Sequence, residues 1–227
     1  MILKLALASR KNKKIMKLDY SLYLVTDRGL SCGRSLIEIV EEAVAGGVTC
    51  VQLREKNCST RRFVEEGLAL QKILTPKNIP LIINDRIDVA MVIEASGVHL
   101  GQDDMHLAHA RRILGPECII GISVESIGDA IKASAAGADY LGVSPVFSTP
   151  TKTDTAPPLG LEGLKAIRQQ VDIPLVAIGG INNDNCASVM AAGADGLAVV
   201  SALVSAPSPK TAAVNLRLAA GLPEKRI

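Results

Sequence analysis

The sequence predicts a single domain with the fold of a (βα)8 TIM barrel, in which eight parallel strands alternate with helices. Its 227 residues are 48% hydrophobic, which is enough for one large core and too little for two. Short β-branched or aliphatic runs alternate along the chain with segments of helical periodicity. An Ala-rich helical end, a glycine that can stop the helix and a strand-like run also recur together, around Gly47, Gly97, Gly137 and Gly193. This punctuation is typical of βα units, and a doubly wound open sheet is the alternative that it leaves open.

Eight strands and seven helices can be placed in order. The strands are predicted at residues 20–26, 49–53, 81–84, 98–100, 119–123, 140–143, 175–178 and 197–200. The helices are predicted at residues 35–45, 60–74, 85–95, 106–114, 127–136, 161–170 and 183–192. Each crossover is long enough for a right-handed return, so the strands are expected to be parallel. Their C-terminal ends then meet at one mouth, where ligands of such folds bind.

The two ends of the chain are predicted to lie outside the barrel. We expect a flexible basic tail at residues 1–18, the barrel at 19–220 and a short C-terminal tail at 221–227. The first 19 residues hold six of the 25 Lys and Arg and one of the 23 Asp and Glu, which leaves 19 basic and 22 acidic residues for the body. Any anion site is therefore local. The apolar run at 2–8 is too short to span a membrane, and a transit peptide stays open as an interpretation of the tail.

Composition excludes several classes of partner. Trp is absent and only three Tyr and two Phe are present, which removes the stacking platforms that single-stranded nucleic acid needs. Five cysteines without a C-x-x-C pair argue against a disulfide framework and a zinc cluster, and they indicate a reducing, cytoplasmic location. We expect small phosphorylated molecules as partners, neither nucleic acid nor a membrane, with a homodimer left open.

A long loop at residues 142–160 joins the sixth strand to the next helix. It is rich in Pro, Gly, Ser and Thr, and loops of this length in compact domains are usually functional. Thr149, Thr151 and Lys152 offer two hydroxyls and an ammonium group in a segment stiffened by prolines. These groups suit a phosphate, and a solvated surface loop is the alternative.

The end of the second strand carries two cations. Period-two alternation places Gln52, Arg54 and Lys56 on one face, which points into a barrel. Two cations at the mouth favour an anionic ligand. The alternative is a structural layer of ion pairs with Glu55 or with an inward aspartate.

Carboxylates follow the third and fourth strands. Asn84 and Asp85 end the third strand, and Asp104 lies shortly after the fourth. Magnesium commonly takes one or two carboxylates and fills its other positions with water and phosphate oxygens, so Asp85 and Asp104 are candidate metal ligands. Each aspartate could instead cap the helix that follows.

The remaining strand ends offer small and hydroxyl residues. Ser123 ends the fifth strand and could cap a helix or touch a ligand, while Gly180 follows the seventh strand and Val200 and Ser201 end the eighth. Glycines allow close approach of a phosphate, and the loops after strands seven and eight are the usual phosphate site of a barrel. A tight turn and a serine cap are the alternative. Two anion sites thus emerge, which a reaction between a phosphorylated and a diphosphorylated molecule would need.

The three histidines do not suggest a catalytic triad. His106 and His109 lie on a predicted helix surface, and His99 is expected to pack near the barrel wall. Stabilisation of a leaving group by a metal ion fits these residues better than proton shuttling.

Eight motifs together resemble the thiamine phosphate synthase family over roughly residues 20–218. In order they are LYLVTDR at 22–28, VQLREK at 51–56, IIND at 82–85, GVHLGQDD at 97–104, GIS at 121–123, GADYLGVSPVFSTPTK at 137–152, AIGGI at 177–181 and GADGLAVVSA at 193–202. Each motif is short, but eight in this order are highly specific.

The resemblance implies a magnesium-dependent transferase of a pyrimidinylmethyl group. It would join hydroxymethylpyrimidine diphosphate to a thiazole phosphate, giving thiamine phosphate and pyrophosphate. The resemblance implies that the pyrimidine diphosphate is held by Gln52, Arg54, Lys56, Asn84, Ser123 and Lys152, of which Arg54, Lys56, Ser123 and Lys152 are the catalytic candidates. By the same resemblance Mg²⁺ is held by Asp85 and Asp104, and the thiazole phosphate by Thr149, Thr151, Gly180, Val200 and Ser201.

Two positions depart from the family pattern. Ser144 stands where the family usually has Gly, and Glu125 stands where relatives usually carry a His. The related thiazole tautomerases depend on that His, so its absence counts against isomerisation. A tautomerase-like isomerase and a non-catalytic barrel that binds thiazole phosphate are the alternatives to the synthase.

Overall fold

Eight parallel strands form a closed barrel in the computed structural model, which describes residues 18–149 and 157–223. The strands are β1 Leu22–Val25, β2 Cys50–Leu53, β3 Leu81–Asn84, β4 Gly97–Leu100, β5 Ile119–Val124, β6 Tyr140–Val143, β7 Leu175–Ile178 and β8 Gly196–Val199. They pair in chain order, and β8 returns to β1 with Val199 opposite Leu24. The predicted TIM barrel is confirmed, and the alternative of an open doubly wound sheet is wrong.

Helices follow each strand on the outside of the barrel. In the described ranges the α-helices are α1 Leu36–Ala45, α2 Thr60–Leu74, α3 Ile87–Val92, α4 Leu107–Leu114, α5 Ile127–Ala135, α6 Gly160–Arg168, α7 Cys186–Ala191, α8 Ser201–Val204 and α9 Pro209–Ala219. Serine side chains accept a backbone N–H bond at four helix starts, which is a favourable cap, and these residues are Ser35, Ser59, Ser126 and Ser208. No helix in the described residues is long and apolar enough to cross a bilayer.

The predicted element positions agree closely with the structure. The strands predicted at 81–84, 140–143 and 175–178 have the observed bounds, and the others differ by one or two residues at an end. The helices predicted at 85–95 and 183–192 begin later, because the residues after β3 and β7 form loops at the mouth. Helices α8 and α9 were not predicted, since no strand follows them to complete the alternation; α9 packs against α1.

Aromatic rings fill the barrel interior towards the N-terminal ends of the strands. Tyr20, Tyr23 and Tyr140 cluster there, with the rings of Tyr20 and Tyr140 4.7 Å apart. Gly121 makes room for them, because a Cβ at this position would lie 2.1 Å from Cζ of Tyr140. The lower half of the barrel is therefore packed with side chains, and the cavity lies towards the C-terminal mouth.

The fold extends slightly beyond its predicted ends. Leu18 packs against the aromatic interior, and Leu222 packs against the outer core. Arg217 is buried and donates to Gly47 O at 3.1 Å and to Pro223 O. Residues at both predicted boundaries, 18, 222 and 223, therefore contact the barrel. The rest of the predicted tails, residues 1–17 and 224–227, lies outside the described residues.

Replacement of Gly196 by Ala is expected to destabilise the barrel. A Cβ at Gly196 would lie 1.9 Å from Tyr20 O, so β8 or the residues before β1 must shift. We expect this shift to lower the free energy of unfolding by about 1–3 kcal/mol or more. Gly128→Ala is the matched control, because its nearest contact is 3.7 Å away and alanine favours a helix by up to about 1 kcal/mol. Urea unfolding would measure the free energy of unfolding of both variants. Equal values for the two would contradict the expectation that a side chain at Gly196 does not fit.

Candidate active site

A cavity of about 750 Å³ opens at the C-terminal ends of the strands. All the predicted site residues within the described ranges line it, namely Gln52, Arg54, Lys56, Asn84, Asp85, Asp104, Ser123, Thr149, Gly180, Val200 and Ser201. Thr151 and Lys152 fall outside the described residues. The structure thus brings together side chains that the sequence places in separate motifs, and their roles stay predictions.

One residue of β2 and two residues after it reach the cavity. Gln52 lies on β2 inside the barrel, whereas the strand ends at Leu53 and the two cations follow it in a loop. Arg54 is fixed there by its neighbours, since its backbone N–H donates to Thr26 Oγ1 at 3.0 Å and its Nη1 donates to Asp27 Oδ2 at 2.9 Å. The guanidinium is thereby held at the mouth, with Asp27 compensating part of its charge.

Glu55 points away from the cavity. Its side chain is 3% exposed and accepts a hydrogen bond from Arg28 Nη2 at 2.8 Å, and Arg28 also pairs with Glu66. Glu55 is therefore not the partner of Arg54, which contradicts one form of the ion-pair interpretation. An ion pair between Arg54 and an aspartate, the other form of that interpretation, is present, because Asp27 pairs with Arg54. Since Arg54 and Lys56 also line the cavity, the ion pairs and an anion site are compatible.

Asp85 occupies an unusual backbone position beside Lys56. Its φ is +61°, a left-handed conformation that is uncommon outside glycine, and its N–H donates to His99 O at 2.9 Å. The carboxylate accepts from Lys56 Nζ at 2.6 Å. It does not cap α3, whose preceding residue Arg86 makes no side-chain cap bond. The structure therefore directs this carboxylate into the cavity, and the helix-cap interpretation is wrong.

Asp104 lies next to Asp85 across the mouth. Its Oδ2 accepts from the Gly101 N–H at 2.7 Å, and α4 is capped by His106, so Asp104 is not a helix cap either. Burial and then the hydrogen bond to Asp85, in which protonated Asp104 is the donor, raise the pKa of the Asp104 carboxyl above its ordinary value. Burial opposes ionisation of Asp85 as well, but its bonds to Lys56 and Asp104 prevail and lower its pKa. The two neighbouring carboxyl groups therefore differ in pKa, with Asp85 the more readily ionised of the two.

This pair fits a magnesium ion and would not form a complete metal site alone. Among residues 18–149 and 157–223, no group of three or more His, Cys, Asp or Glu is placed to hold a metal. Two adjacent carboxyl groups are, however, a donor set whose negative charge a divalent cation would compensate. Magnesium typically takes one or two carboxylates and completes its shell with water and substrate phosphate oxygens. Asp85 and Asp104 meet that requirement.

His99 lies inside the barrel, which corrects its predicted place near the wall. Its Nδ1 is 2.9 Å from Tyr140 Oη and its Nε2 is 2.9 Å from Ser123 Oγ. Burial lowers the pKa of His99 to about 4, against the opposing charge of Asp85. Gly142 leaves room for the ring, because a Cβ there would lie 2.8 Å from His99 Cε1. The alternation of His99 between Val98 and Leu100 is the sequence pattern that indicates an inward position.

Ser123 is a cavity residue rather than a helix cap. It lies on β5, and the cap of α5 is Ser126, whose Oγ accepts from the Asp129 N–H at 3.1 Å. The Ser123 carbonyl accepts from Gln102 Nε2, which ties β5 to the loop after β4. The alternative left open for Ser123 is thereby resolved in favour of the cavity.

The loop after β6 crosses the end of β7. Val146 N donates to Ile178 O at 2.9 Å and Phe147 N donates to Gly179 O at 3.1 Å. Gly179 and Gly180 both have positive φ, and a Cβ at Gly180 would lie 2.8 Å from Ser148 O. Glycine is thus required by both conformation and space. The crossing brings Thr149 to the cavity, so this part of the loop is packed and is not a solvated surface loop.

Backbone N–H groups line the opposite side of the mouth. Val200 precedes α8 and makes no side-chain cap bond. Ser201 is the first residue of that helix, so the alternative of a serine cap is wrong. The N–H groups of Ser201 and Ala202 have no acceptor within α8, because the residues four positions before them lie outside the helix. Both line the cavity. These donors suit an anion beside Gly180.

The sequence prediction left out two cavity residues and one residue that holds a cavity residue in place. Tyr23 and Tyr140 lie inside the barrel beneath the cavity, and Asp27 holds Arg54. Alternation along β1 and β6 indicates inward positions for both tyrosines. Asp27 lies just after a strand end, as Asp85 does. Its pairing with Arg54 could not be predicted from the spacing of the two residues in the sequence.

Comparisons with known proteins agree on one family. The family described as "Thiamine monophosphate synthase" matches residues 22–203. The chain is 58% identical over 196 residues to the thiamine-phosphate synthase of Albidiferax ferrireducens, which covers 86% of this chain and 90% of that one. It is 55% identical over 199 residues to the thiamine-phosphate synthase of Chloroflexus aurantiacus, with 88% and 92% covered. The solved structure of thiamine phosphate pyrophosphorylase from Pyrococcus furiosus matches with a TM-score of 0.83 and 42% identity, covering 90% of this chain and 96% of that one.

Proposed function

This chain belongs to the thiamine monophosphate synthase family, and from that premise we propose that its cavity joins hydroxymethylpyrimidine diphosphate to a thiazole phosphate with the aid of Mg²⁺. The products are thiamine phosphate and pyrophosphate. The observation that supports the proposal is one cavity with two different sides, each of which suits an anion. Cations and carboxylates line one side, and backbone N–H groups with glycine line the other.

The cationic side would bind the diphosphate. Arg54 offers a planar donor group that suits phosphate oxygens, and Lys56 offers a mobile point charge. Asp85 and Asp104 would hold the magnesium ion, which when bound supplies positive charge to the leaving diphosphate. Lys56 and Asp85 already lie 2.6 Å apart, so the lysine can be released to the diphosphate when a cation takes its place at the carboxylate.

The pyrimidine ring would lie deeper in the barrel. Gln52, Asn84 and Ser123 present polar groups there, and Val176 and Ile178 line the same space with apolar surface. A heteroaromatic ring with a few polar atoms suits such a lining. The diphosphate would then extend towards the mouth, where Arg54 lies.

The thiazole phosphate would bind on the other side of the mouth. Gly180, Ser201 and Thr149 line that side, and the backbone at Gly180 and Ser201 allows close approach of phosphate oxygens. The thiazole nitrogen would then face the pyrimidinylmethyl carbon. Binding both substrates in one cavity supplies the proximity that the bond formation needs.

The reaction proposed for these residues needs no general base. The bond between the pyrimidinylmethyl carbon and the diphosphate oxygen breaks with its electron pair leaving on pyrophosphate, and the thiazole nitrogen then supplies the pair for the new carbon–nitrogen bond. His99, neutral and enclosed by Tyr140 and Ser123, is not placed to take a proton from solvent. Arg54 and Lys56 offset the negative charge that develops on the leaving group.

Isomerisation of the thiazole is the less favoured function. Glu125 lines the cavity at the position where the tautomerases carry His. A carboxylate at this position does not supply the imidazole on which those relatives depend.

The test is a reaction of the purified full chain with both substrates. Thiamine phosphate and pyrophosphate are expected in equal amounts with Mg²⁺, and neither is expected after chelation with EDTA until Mg²⁺ is restored. Reaction without the pyrimidine substrate is the control, in which no change of the thiazole phosphate is expected. Conversion of thiazole isomers in that control, or binding of thiazole phosphate without any product, would contradict the proposal.

A further inference from the structure

A continuous line of hydrogen bonds crosses the barrel beneath the cavity. Gln52 Nε2 lies 3.1 Å from Tyr23 Oη, and Tyr23 Oη lies 3.0 Å from Tyr140 Oη. The line continues from Tyr140 Oη to His99 Nδ1 and from His99 Nε2 to Ser123 Oγ, each at 2.9 Å. These five side chains come from β1, β2, β4, β5 and β6 and are called the interior chain below. All five line the cavity, and Ser123 is the last member of the line.

With the Gln52 amide nitrogen facing Tyr23, as the structure has it, the direction of the interior chain follows from counting hydrogens. A tyrosine hydroxyl carries one hydrogen, which it can donate once. Tyr23 accepts from the Gln52 amide, so its own hydrogen goes to Tyr140. Tyr140 then donates its hydrogen onward to His99 Nδ1. That nitrogen must therefore be the unprotonated acceptor of a neutral imidazole.

The opposite direction leaves a buried donor unsatisfied. If Tyr140 donated to Tyr23, the Tyr23 hydroxyl would accept twice and its hydrogen would have no acceptor in the described part of the chain. Tyr23 is 1% exposed and Tyr140 is 0% exposed, so both hydroxyls are shielded from bulk solvent. Buried donors without a partner are rare and costly in folded proteins. The forward direction satisfies each link.

We propose that His99 is a positioning residue for the synthase reaction: the interior chain fixes its Nε2–H tautomer, so that Ser123 accepts from His99 and presents its own hydroxyl hydrogen to the pyrimidine diphosphate. The proposed function is needed only to name that ligand. Ser123 Oγ is otherwise unpaired within the described residues, so its hydrogen is available to an acceptor atom in the cavity.

The proposal gives Ser123 a defined chemical character. A serine whose oxygen already accepts from an imidazole N–H acts as a donor towards its ligand, whereas a serine that donates to the imidazole would be an acceptor. The fixed direction therefore favours ring nitrogen or phosphate oxygen atoms at this position and disfavours N–H groups. A preorganised donor of this kind contributes to turnover without moving a proton.

The tautomer of His99 can be measured directly. In ¹⁵N-histidine-labelled protein without substrates, the long-range ¹H–¹⁵N spectrum is expected to show His99 protonated at Nε2 and unprotonated at Nδ1, with the signal assigned by its loss in His99→Gln. Tyr140→Phe is expected to remove this fixed pattern, and Tyr23→Phe to give a mixture of both tautomers. Tyr20→Phe is the matched control, since Tyr20 packs in the same cluster outside the interior chain, and it is expected to leave the tautomer unchanged.

Kinetics separate positioning from support of the fold. Ser123→Ala is expected to lower kcat about a hundredfold, as for loss of one preorganised donor, and Tyr140→Phe about tenfold. In the Ser123→Ala background, Tyr140→Phe is expected to change kcat by less than about twofold, because the chain would have nothing left to orient. Tyr20→Phe should retain activity.

Two results would overturn the proposal. One is a His99 protonated at Nδ1 in the unmodified protein, which means that the interior chain runs the other way. The other is a full additional loss from Tyr140→Phe in the Ser123→Ala background, which means that Tyr140 acts through the fold. The spectrum is recorded without substrates, so failure of the proposed reaction would not be mistaken for failure of the tautomer assignment.

Discussion

Asp85→Asn is expected to lower magnesium-dependent formation of thiamine phosphate by about a hundredfold to a thousandfold. The substitution keeps the size of the side chain but removes the charge that would hold the metal and that now pairs with Lys56 at 2.6 Å. The affinity for thiazole phosphate alone should change by less than about twofold, because Asp85 lines the side of the cavity that we propose for the diphosphate. Turnover at saturating substrates and calorimetric titration with thiazole phosphate would measure the two effects.

Asparagine is preferred to alanine for this test because of the backbone at Asp85. With φ at +61°, alanine would add strain, whereas asparagine tolerates the left-handed region. Asp88→Asn is the matched control, since Asp88 lies three residues along the chain in an exposed ion pair with Arg86, and it should leave turnover unchanged. A similar loss of turnover and of thiazole phosphate affinity in Asp85→Asn would show that the residue supports the structure of the mouth, contrary to the metal hypothesis.

Arg54→Gln is expected to lower kcat/KM for the pyrimidine diphosphate by about a thousandfold. The guanidinium is the donor best placed to meet the diphosphate, and glutamine retains neither its charge nor its two parallel donors. Steady-state kinetics at saturating thiazole phosphate would measure the loss. Arg62→Gln is the control, since Arg62 forms an exposed pair with Glu66 on α2 and should have little effect.

Loss of Arg54 also leaves Asp27 without its partner, which lies 2.9 Å away. The double variant Asp27→Asn/Arg54→Gln separates the two consequences, because it removes the unpaired carboxylate together with the cation. If Arg54 binds the diphosphate, the double variant stays as inactive as Arg54→Gln. Recovery of activity in the double variant would instead show that the unpaired Asp27, rather than a lost substrate contact, caused the defect.

Residues near strand ends could be predicted because the rules involved are local. Alternation places Gln52 inside the barrel, and a parallel barrel brings the C-terminal strand ends together, which is why Asp85 and Asp104 meet. The same rules were insufficient for Arg54 and Lys56, since β2 ends at Leu53 and the two cations reach the cavity from a loop. Period-two alternation predicted that both side chains face the cavity, but it did not predict their ion-pair partners, Asp27 and Asp85.

The sequence by itself determined the order of strands and helices, the mouth at which the site lies and the residue types that gather there. Helical stops, period-two alternation and loop composition act over a few residues, so they can be read along the chain. Only the tertiary structure decided that the sheet closes and which side chains pair. Arg54 meets Asp27 across 27 positions, Lys56 meets Asp85 across 29, and Tyr23 meets Tyr140 across 117. Such pairs depend on the register and closure of all eight strands, because each strand fixes the height and direction of its side chains only relative to its neighbours.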